Sequence, residues 1–189
     1  MIQPITKFGN PVLRTQCAPI TKFDQDTKNL CQDLIETMRA ARGVGLAAPQ
    51  IGVALQACVV DCRGAKYPSS IELLGETLKA RAVNLTNGTV TGQYLEGDGV
   101  GLMMPMILIN PVIELSGDVY AAQEGCLSSN DGAFLKVPRS RIVKVKALDR
   151  NGEPMEFIAK NFLARAIQHE VDHLSGVLYI DKALPTTKK

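Results

Sequence analysis

The apolar pattern along the chain predicts a first helix over 24–42. Apolar residues recur on one side of this segment at helical spacing: Leu30, Leu34, Ile35 and Met38. Asp24 or Asp26 can cap the N-terminus, and Gly43 is the expected C-terminal stop. The segment is therefore predicted to be an amphipathic helix that packs on a core.

A second helix is predicted over 162–174. This segment contains no Gly or Pro, follows Asn161 as N-cap, and ends just before Gly176. Both histidines of the chain lie in it, so the helix would fix their relative positions.

Apolar runs and alternation predict four strands: 55–61, 106–115, 141–148 and 154–158. Asn110 and Pro111 interrupt the second of these, which is therefore predicted as two strand pieces or as one edge strand with a bulge. The third has Lys144 and Lys146 between small apolar residues, so one face should be buried and the other wet.

The segment 63–105 contains seven glycines. Ser69 and Glu72 have the spacing of a capping box, which predicts a short helix there. Asn87-Gly88 predicts a hairpin over 81–95. Since a stretch this long is rarely structureless in a compact domain, we expect an ordered surface excursion.

Composition narrows the class of protein. The 189 residues are 46% apolar, and 21 Lys plus Arg against 19 Asp plus Glu give a net charge of +2, so we expect one domain over 1–189. Balanced charges provide no basic cluster for phosphates, and we expect no nucleic-acid partner. The longest apolar run, 102–109, is far shorter than the roughly twenty residues of a membrane span, so no membrane association is expected.

Cysteine usage favours a reducing compartment. The five cysteines have no recurring pair spacing, and Lys7 and Arg14 interrupt any secretory signal. We therefore expect the cytoplasm, or an organellar matrix if a transit peptide was removed. Most of the cysteines should be buried small hydrophobes, whereas Cys126 lies in the small-residue segment EGCLS at 124–128.

The segment HEVDH at 169–173 predicts a metal site. Residues four apart lie on one helix face one turn apart, so the imidazoles of His169 and His173 can reach one ion. Glu170 lies beside that ion and remains free to transfer protons. A catalytic ion usually has three protein ligands, and the third must here be Cys, Asp or Glu.

Four residues could supply that third ligand: Asp172, Glu124, Cys126 and Asp181. Helical geometry turns Asp172 away from the face shared by the histidines. An acidic ligand such as Asp181 would suggest an ordinary zinc peptidase. The residues themselves leave the choice open.

Three blocks of the sequence together resemble the peptide deformylase family: GVGLAAPQ at 43–50, EGCLS at 124–128 and QHEVDHL at 168–174. Each is moderately specific alone, and the three in this order are highly specific. The resemblance covers most of the chain except about 63–105, an excursion longer than the family usually has there, and the last few residues. It implies an α+β fold, with antiparallel or mixed β-sheets around a central C-terminal helix that carries HEVDH, and an N-terminal amphipathic helix.

The resemblance also implies the roles of particular residues. The metal ligands would be Cys126, His169 and His173. Glu170 would be general base and acid, and the Gln50 side-chain amide with the Leu127 backbone N–H would stabilise the oxyanion. The implied substrate-binding residues are Val44, Gly45, Glu124 and Gly125, although Glu124 is more typical of a structural hydrogen-bond acceptor.

The implied reaction removes the formyl group from the N-terminal formyl-methionine of nascent polypeptides, near the ribosome exit, and releases formate. One divalent ion would serve it, with Fe²⁺ the more active and Zn²⁺ or Ni²⁺ as alternatives. Two other readings stay open: a metallopeptidase with a non-cysteine third ligand, and a zinc-stabilised binding module without catalysis. The segment SNDG at 129–132 departs from the family pattern and leaves one wall of the pocket undetermined.

Overall fold

The computed structural model describes residues 1–63, 65–67, 69–74 and 104–185. Its strands are β1 Gly45–Ala47, β2 Ala57–Val60, β3 Ser69–Leu74, β4 Met106–Glu124, β5 Leu135–Leu148 and β6 Pro154–Asn161. The helices of this part of the chain are α1 Gln25–Ala40 and α2 Phe162–Leu174, with short 3₁₀ helices at Pro11–Arg14, Ala48–Ile51 and Tyr179–Asp181.

The six strands form one sheet in the order β1-β2-β4-β5-β6-β3. Every pair of neighbouring strands is antiparallel. The predicted α+β class is therefore confirmed. Of the two predicted kinds of sheet, antiparallel or mixed, the described strands form the antiparallel one.

Buried apolar residues form two clusters, and β2 contributes to both. Because side chains alternate along a strand, Cys58 and Val60 join the cluster that contains buried residues of α2, whereas Ala57 and Val59 join the one that contains α1. The strand is buried on both faces, as its run of apolar residues predicted. Each helix is thus packed through apolar contacts against a different face of the sheet.

Helix α1 begins and ends close to the predicted bounds. The Asp24 side chain accepts hydrogen bonds from the backbone N–H groups of Asp26 and Thr27 and is the N-cap. The predicted stop at Gly43 was wrong by one residue, because Arg42 takes the left-handed conformation with φ 55°. The Gly43 N–H then bonds the Met38 carbonyl at 2.9 Å, which closes the helix end.

Helix α2 has the predicted bounds. Asn161 occupies the N-cap position, but its side chain makes no cap hydrogen bond. The helix packs against β5, β1, β2 and β6, so it lies against most of the sheet. Because its buried residues fix its rotation, the two histidines have defined positions relative to the strands.

Strand β4 is longer than predicted. The register shifts between Ile109 and Val112, where Asn110 has φ 49°, so the predicted bulge is confirmed. Before the bulge β4 lies between β2 and β5, so the edge-strand alternative was wrong for that half.

The short helix predicted from Ser69 and Glu72 was also wrong. Residues 69–74 are β3, which pairs with β6 from Ser69↔Asn161 to Leu74↔Glu156. The hairpin predicted over 81–95 lies outside the described residues. No helix among the described residues is long and apolar enough to cross a membrane.

Candidate metal centre

Helix α2 and the end of β4 bring three potential metal ligands together. The Cys126 Sγ and one ring nitrogen each of His169 and His173 all lie within 4.8 Å of one another. Cys126 Sγ is 3.3 Å from His173 Nε2. Ligands at about 2.0–2.3 Å in a tetrahedron are roughly 3.5 Å apart, so these three atoms fit one ion.

The other candidates for third ligand have partners elsewhere. Asp172 accepts hydrogen bonds from Arg139 Nη1 at 2.5 Å and from Lys182 Nζ at 2.6 Å. Asp181 forms an ion pair with Arg14. Both carboxylates are therefore neutralised by cations outside the cluster.

Glu124 lies next to the cluster and orients it. Arg139 donates from Nε and Nη2 to the two Glu124 oxygens, both at 3.0 Å, and these side chains are only 2% and 5% exposed. Glu124 Oε2 is also 3.1 Å from His169 Nδ1. That contact leaves His169 Nε2 to face an ion and fixes the tautomer needed for ligation. Glu124 is thus a hydrogen-bond acceptor, as its sequence context indicated.

The electrostatics of the two imidazoles differ. Burial lowers the pKa of His169, but hydrogen bonds with Cys126 and Glu124 outweigh it and raise that pKa to about 10. Burial and then the neighbouring His169 hold the pKa of His173 well below its ordinary value. The site therefore favours one positive charge beside Cys126 and Glu124, which a bound metal ion can supply in place of the proton.

Glu170 is a buried carboxylate beside this cluster. It is 4% exposed, its Oε2 has no hydrogen-bond partner among the described residues, and burial raises its pKa to about 7. Gly45 lies against it so closely that a Cβ there would fall on the carboxylate. The glycine in the first sequence block thus makes room for a functional group.

Gln50 aims its amide at the cysteine. Its Oε1 accepts the Ala47 N–H at 2.8 Å, which leaves Nε2 3.5 Å from Cys126 Sγ and 3.3 Å from Ser128 Oγ. The side chain is 1% exposed and therefore fixed. A donor held in this way needs no reorganisation to meet a developing negative charge.

These groups line a cleft of about 520 Å³. Of the residues singled out in the sequence, the lining includes Val44, Gly45, Gln50, Glu124, Gly125, Cys126, Leu127, His169 and Glu170. The lining also includes seven residues that the sequence did not single out: Arg42, Tyr67, Gln123, Phe134, Phe162, Arg165 and Ala166. Phe162 and Arg165 precede His169 by seven and four residues, so helical spacing could have identified them as cleft residues.

The chain is similar to known proteins over nearly its whole length. The family model of polypeptide deformylase matches residues 2–189 and so extends across 63–105, which the three blocks had left out. The peptide deformylase of Methylacidiphilum infernorum is 40% identical over 189 residues, covering 100% of this chain and 88% of that relative. The crystal structure of peptide deformylase from Thermotoga maritima has a TM-score of 0.74 at 34% identity, covering 98% of this chain and 99% of that one.

A second solved structure, the peptide deformylase of Synechococcus elongatus in complex with actinonin, has a TM-score of 0.72 at 32% identity and covers 98% of this chain and 82% of that one. The peptidase alternative needed a third ligand other than cysteine, whereas Cys126 lies against the histidines. The chain belongs to the polypeptide deformylase family, the metal-dependent hydrolases that remove the formyl group from the N-terminal formyl-methionine of nascent polypeptides.

Proposed function

We propose that Cys126, His169 and His173 hold the metal ion and that Glu170 transfers the protons of formyl removal. The observation that carries this assignment is the approach of three ligand atoms within 4.8 Å beside a buried carboxylate with an unpartnered oxygen. When bound, the ion supplies Lewis acidity to the formyl oxygen and acidity to water.

The chemistry of the three proposed ligands also limits which metal ion can bind. Two imidazoles and one thiolate suit Fe²⁺, Zn²⁺ and Ni²⁺ rather than hard, oxygen-seeking ions. We propose Fe²⁺ as the physiological ion, which would make the enzyme sensitive to oxygen, with Zn²⁺ or Ni²⁺ as substitutes.

The chain's own residues account for the proton transfers. The oxygen of water adds to the formyl carbon while Glu170 takes its proton. The Gln50 amide and the Leu127 backbone N–H donate to the oxygen that becomes negative. When the C–N bond breaks, the proton on Glu170 passes to the leaving amine, so the products are formate and a free N-terminus.

The cleft positions the peptide. Val44, Gly45 and Gly125 line it beside Cys126, with Glu124 behind, and they are assigned to substrate binding. A Cβ at Gly45 would collide with Glu170 and one at Gly125 with Phe134, so the two glycines let these cleft side chains lie directly against the backbone. We place the protein in the cytoplasm or an organellar matrix, near the ribosome exit where formyl-methionyl chains emerge.

Replacement of Glu170 tests the assignment. Glu170→Gln keeps the size of the side chain and should retain one metal ion per chain, while formate release from formyl-Met-Ala-amide falls about 10²–10⁴-fold. The matched control is Glu153→Gln, an exposed carboxylate outside the cleft, which should leave both quantities unchanged. Enzyme loaded anaerobically with Fe²⁺ or Ni²⁺ is used, with metal content measured by elemental analysis.

Cys126→Ser tests the ligand set. Loss of the thiolate should remove most of the bound metal as well as activity. Full turnover in Glu170→Gln, or full metal content and activity in Cys126→Ser, would overturn the proposed roles.

A further inference from the structure

A second cavity adjoins the catalytic cleft. It measures about 530 Å³ and is lined by Met38, Arg39, Arg42, Gly43, Val44, Asp61 and Arg63. Arg42, Gly43 and Val44 line the cleft as well. A Cβ at Gly43 would lie 2.7 Å from Leu127 Cδ1, so the shared wall directly abuts the residue after Cys126. The two spaces therefore lie side by side, with Arg42, Gly43 and Val44 at their boundary.

The charges around this cavity do not balance. Arg63 donates from Nε at 2.9 Å and from Nη2 at 2.6 Å to the two oxygens of Asp61, so this pair neutralises itself. The side chains of Arg39 and Arg42 have no hydrogen-bond or ion-pair partner in the described part of the chain, and both are exposed. The single Asp61 carboxylate thus faces three guanidinium groups, Arg39 included, and the cavity lining carries a net charge of +2.

The backbone at Arg42 is unusual. Arg42 lies at the position after a helix where glycine is the usual residue, with φ 55° and a closing hydrogen bond from its N–H to the Arg39 carbonyl. A side chain in this left-handed conformation carries a conformational cost that glycine avoids. Strain of this kind concentrates at functional positions. Here it places a guanidinium on the wall between the two spaces.

We propose that this basic cavity binds a carboxylate of the substrate peptide, one or two residues beyond the methionine, and makes the enzyme favour acidic formyl-methionyl peptides. The proposal rests on the proposed function, since the peptide must occupy the cleft first. Arg42 lies three residues before Gly45, which contacts Glu170, so its backbone is at most about 11 Å further along the chain. An extended peptide advances about 3.3–3.6 Å per residue, so positions two and three can cover that span. Guanidinium groups bind carboxylates in paired, directional hydrogen bonds.

Three peptides test the preference: formyl-Met-Ala-Xaa-amide with Xaa as Glu, Gln or Lys. The amide removes the terminal carboxylate, and formyl-Met-Ala-Gln with a free C-terminus separates a side-chain source from a terminal one. We expect kcat/KM in the order Glu, Gln, Lys, mainly through KM, with each step about 1.4- to 5-fold, as for an exposed ion pair. The differences should narrow in 0.5 M salt.

Charge reversal supplies the decisive comparison. Arg42→Glu lowers the net charge of the cavity lining from +2 to 0 and should abolish the order. Arg39→Glu makes the same change on the exposed last turn of α1, outside the cleft lining, and should weaken the order; it serves if the first variant folds poorly. Arg150→Glu changes net charge equally at an exposed turn away from the cavity and should keep the wild-type order. Formate release by the wild type at equal rates from all three peptides, or an order unchanged in both cavity variants, overturns the inference while leaving the deformylase assignment intact.

Two other results have distinct meanings. No formate from any peptide would contradict the proposed function itself. Equal rates together with salt-sensitive inhibition by a short RNA oligonucleotide would assign the cavity to nucleic acid and overturn the peptide proposal.

Discussion

Removal of the Arg139 guanidinium should strongly destabilise the protein and weaken its metal site. In Arg139→Met the side chain keeps its approximate length but loses all three charge-assisted contacts, two to Glu124 and one to Asp172. Glu124 is then a 5% exposed carboxylate facing only His169. Breaking a buried ion pair on one side costs about 3–5 kcal/mol, and His169 offsets only part of the charge that Glu124 retains.

This loss is large enough to measure by two methods. For a chain of this size, about 2–4 °C of Tm per kcal/mol gives a decrease of roughly 6–20 °C. Urea unfolding in excess chelator isolates the pair from metal binding and should show a lower midpoint with an unchanged slope. Since Glu124 orients His169, metal affinity should also fall about 10- to 100-fold.

Two variants make the comparison specific. Arg139→Lys keeps the charge without the paired geometry and should lie between wild type and Arg139→Met. Arg141→Met removes an exposed guanidinium two residues along the same strand, stacked 4.3 Å from the Tyr120 ring centroid, and should cost about 1 kcal/mol or less. Equal urea midpoints for the two Met variants would refute the reasoning.

Three further predictions follow from individual contacts. Gly45→Ala should displace the Glu170 carboxylate and lower kcat about 100-fold or more at unchanged metal content. A wild-type rate of formate release would show that the carboxylate can keep its position beside an alanine. Gly176→Ala, at φ +70° with a Cβ 2.6 Å from the Arg14 carbonyl oxygen, should cost more than about 1–2 kcal/mol in urea unfolding, whereas a cost near zero contradicts the clash. The Asp181 carboxylate has its pKa lowered by a hydrogen bond from Arg14, so its stabilisation is present at neutral pH and is lost as pH falls through that lowered pKa. Asp181→Asn should therefore cost at most about 1 kcal/mol at pH 7; the difference should begin to shrink near the ordinary carboxyl pKa of about 3.9 and vanish only below the lowered pKa of Asp181.

Elements specified by local signals could be predicted from the sequence. Residues 162–174 lack Gly and Pro, and the helix observed there is Phe162–Leu174. The start of α1 follows from Asp24, whose carboxylate satisfies two backbone N–H groups of the first turn. In both cases the deciding interactions lie within a few residues along the chain.

Elements decided by distant pairing were predicted less well. Ser69 and Glu72 have the spacing of a helix cap, yet β3 forms because the free edge of β6, nearly ninety residues away, offers backbone partners. Ile71 is buried and Glu72 exposed, as alternation along a strand requires. The second half of β4 is mostly exposed, so its composition carried no apolar signal for its pairing with β5.

The choice of third ligand depended on ion pairs that no local pattern encodes. Asp172 lies inside the histidine motif and Asp181 shortly after it, which made both candidates from spacing alone. In the folded chain each is held by a cation from another element, and Arg139 neutralises Glu124 as well. A carboxylate already paired with a buried guanidinium would have to give up that partner in order to bind an ion, at a cost of several kcal/mol. Cys126 has no such cation to lose, so these ion pairs favour the proposed thiolate ligand over Asp172, Glu124 and Asp181.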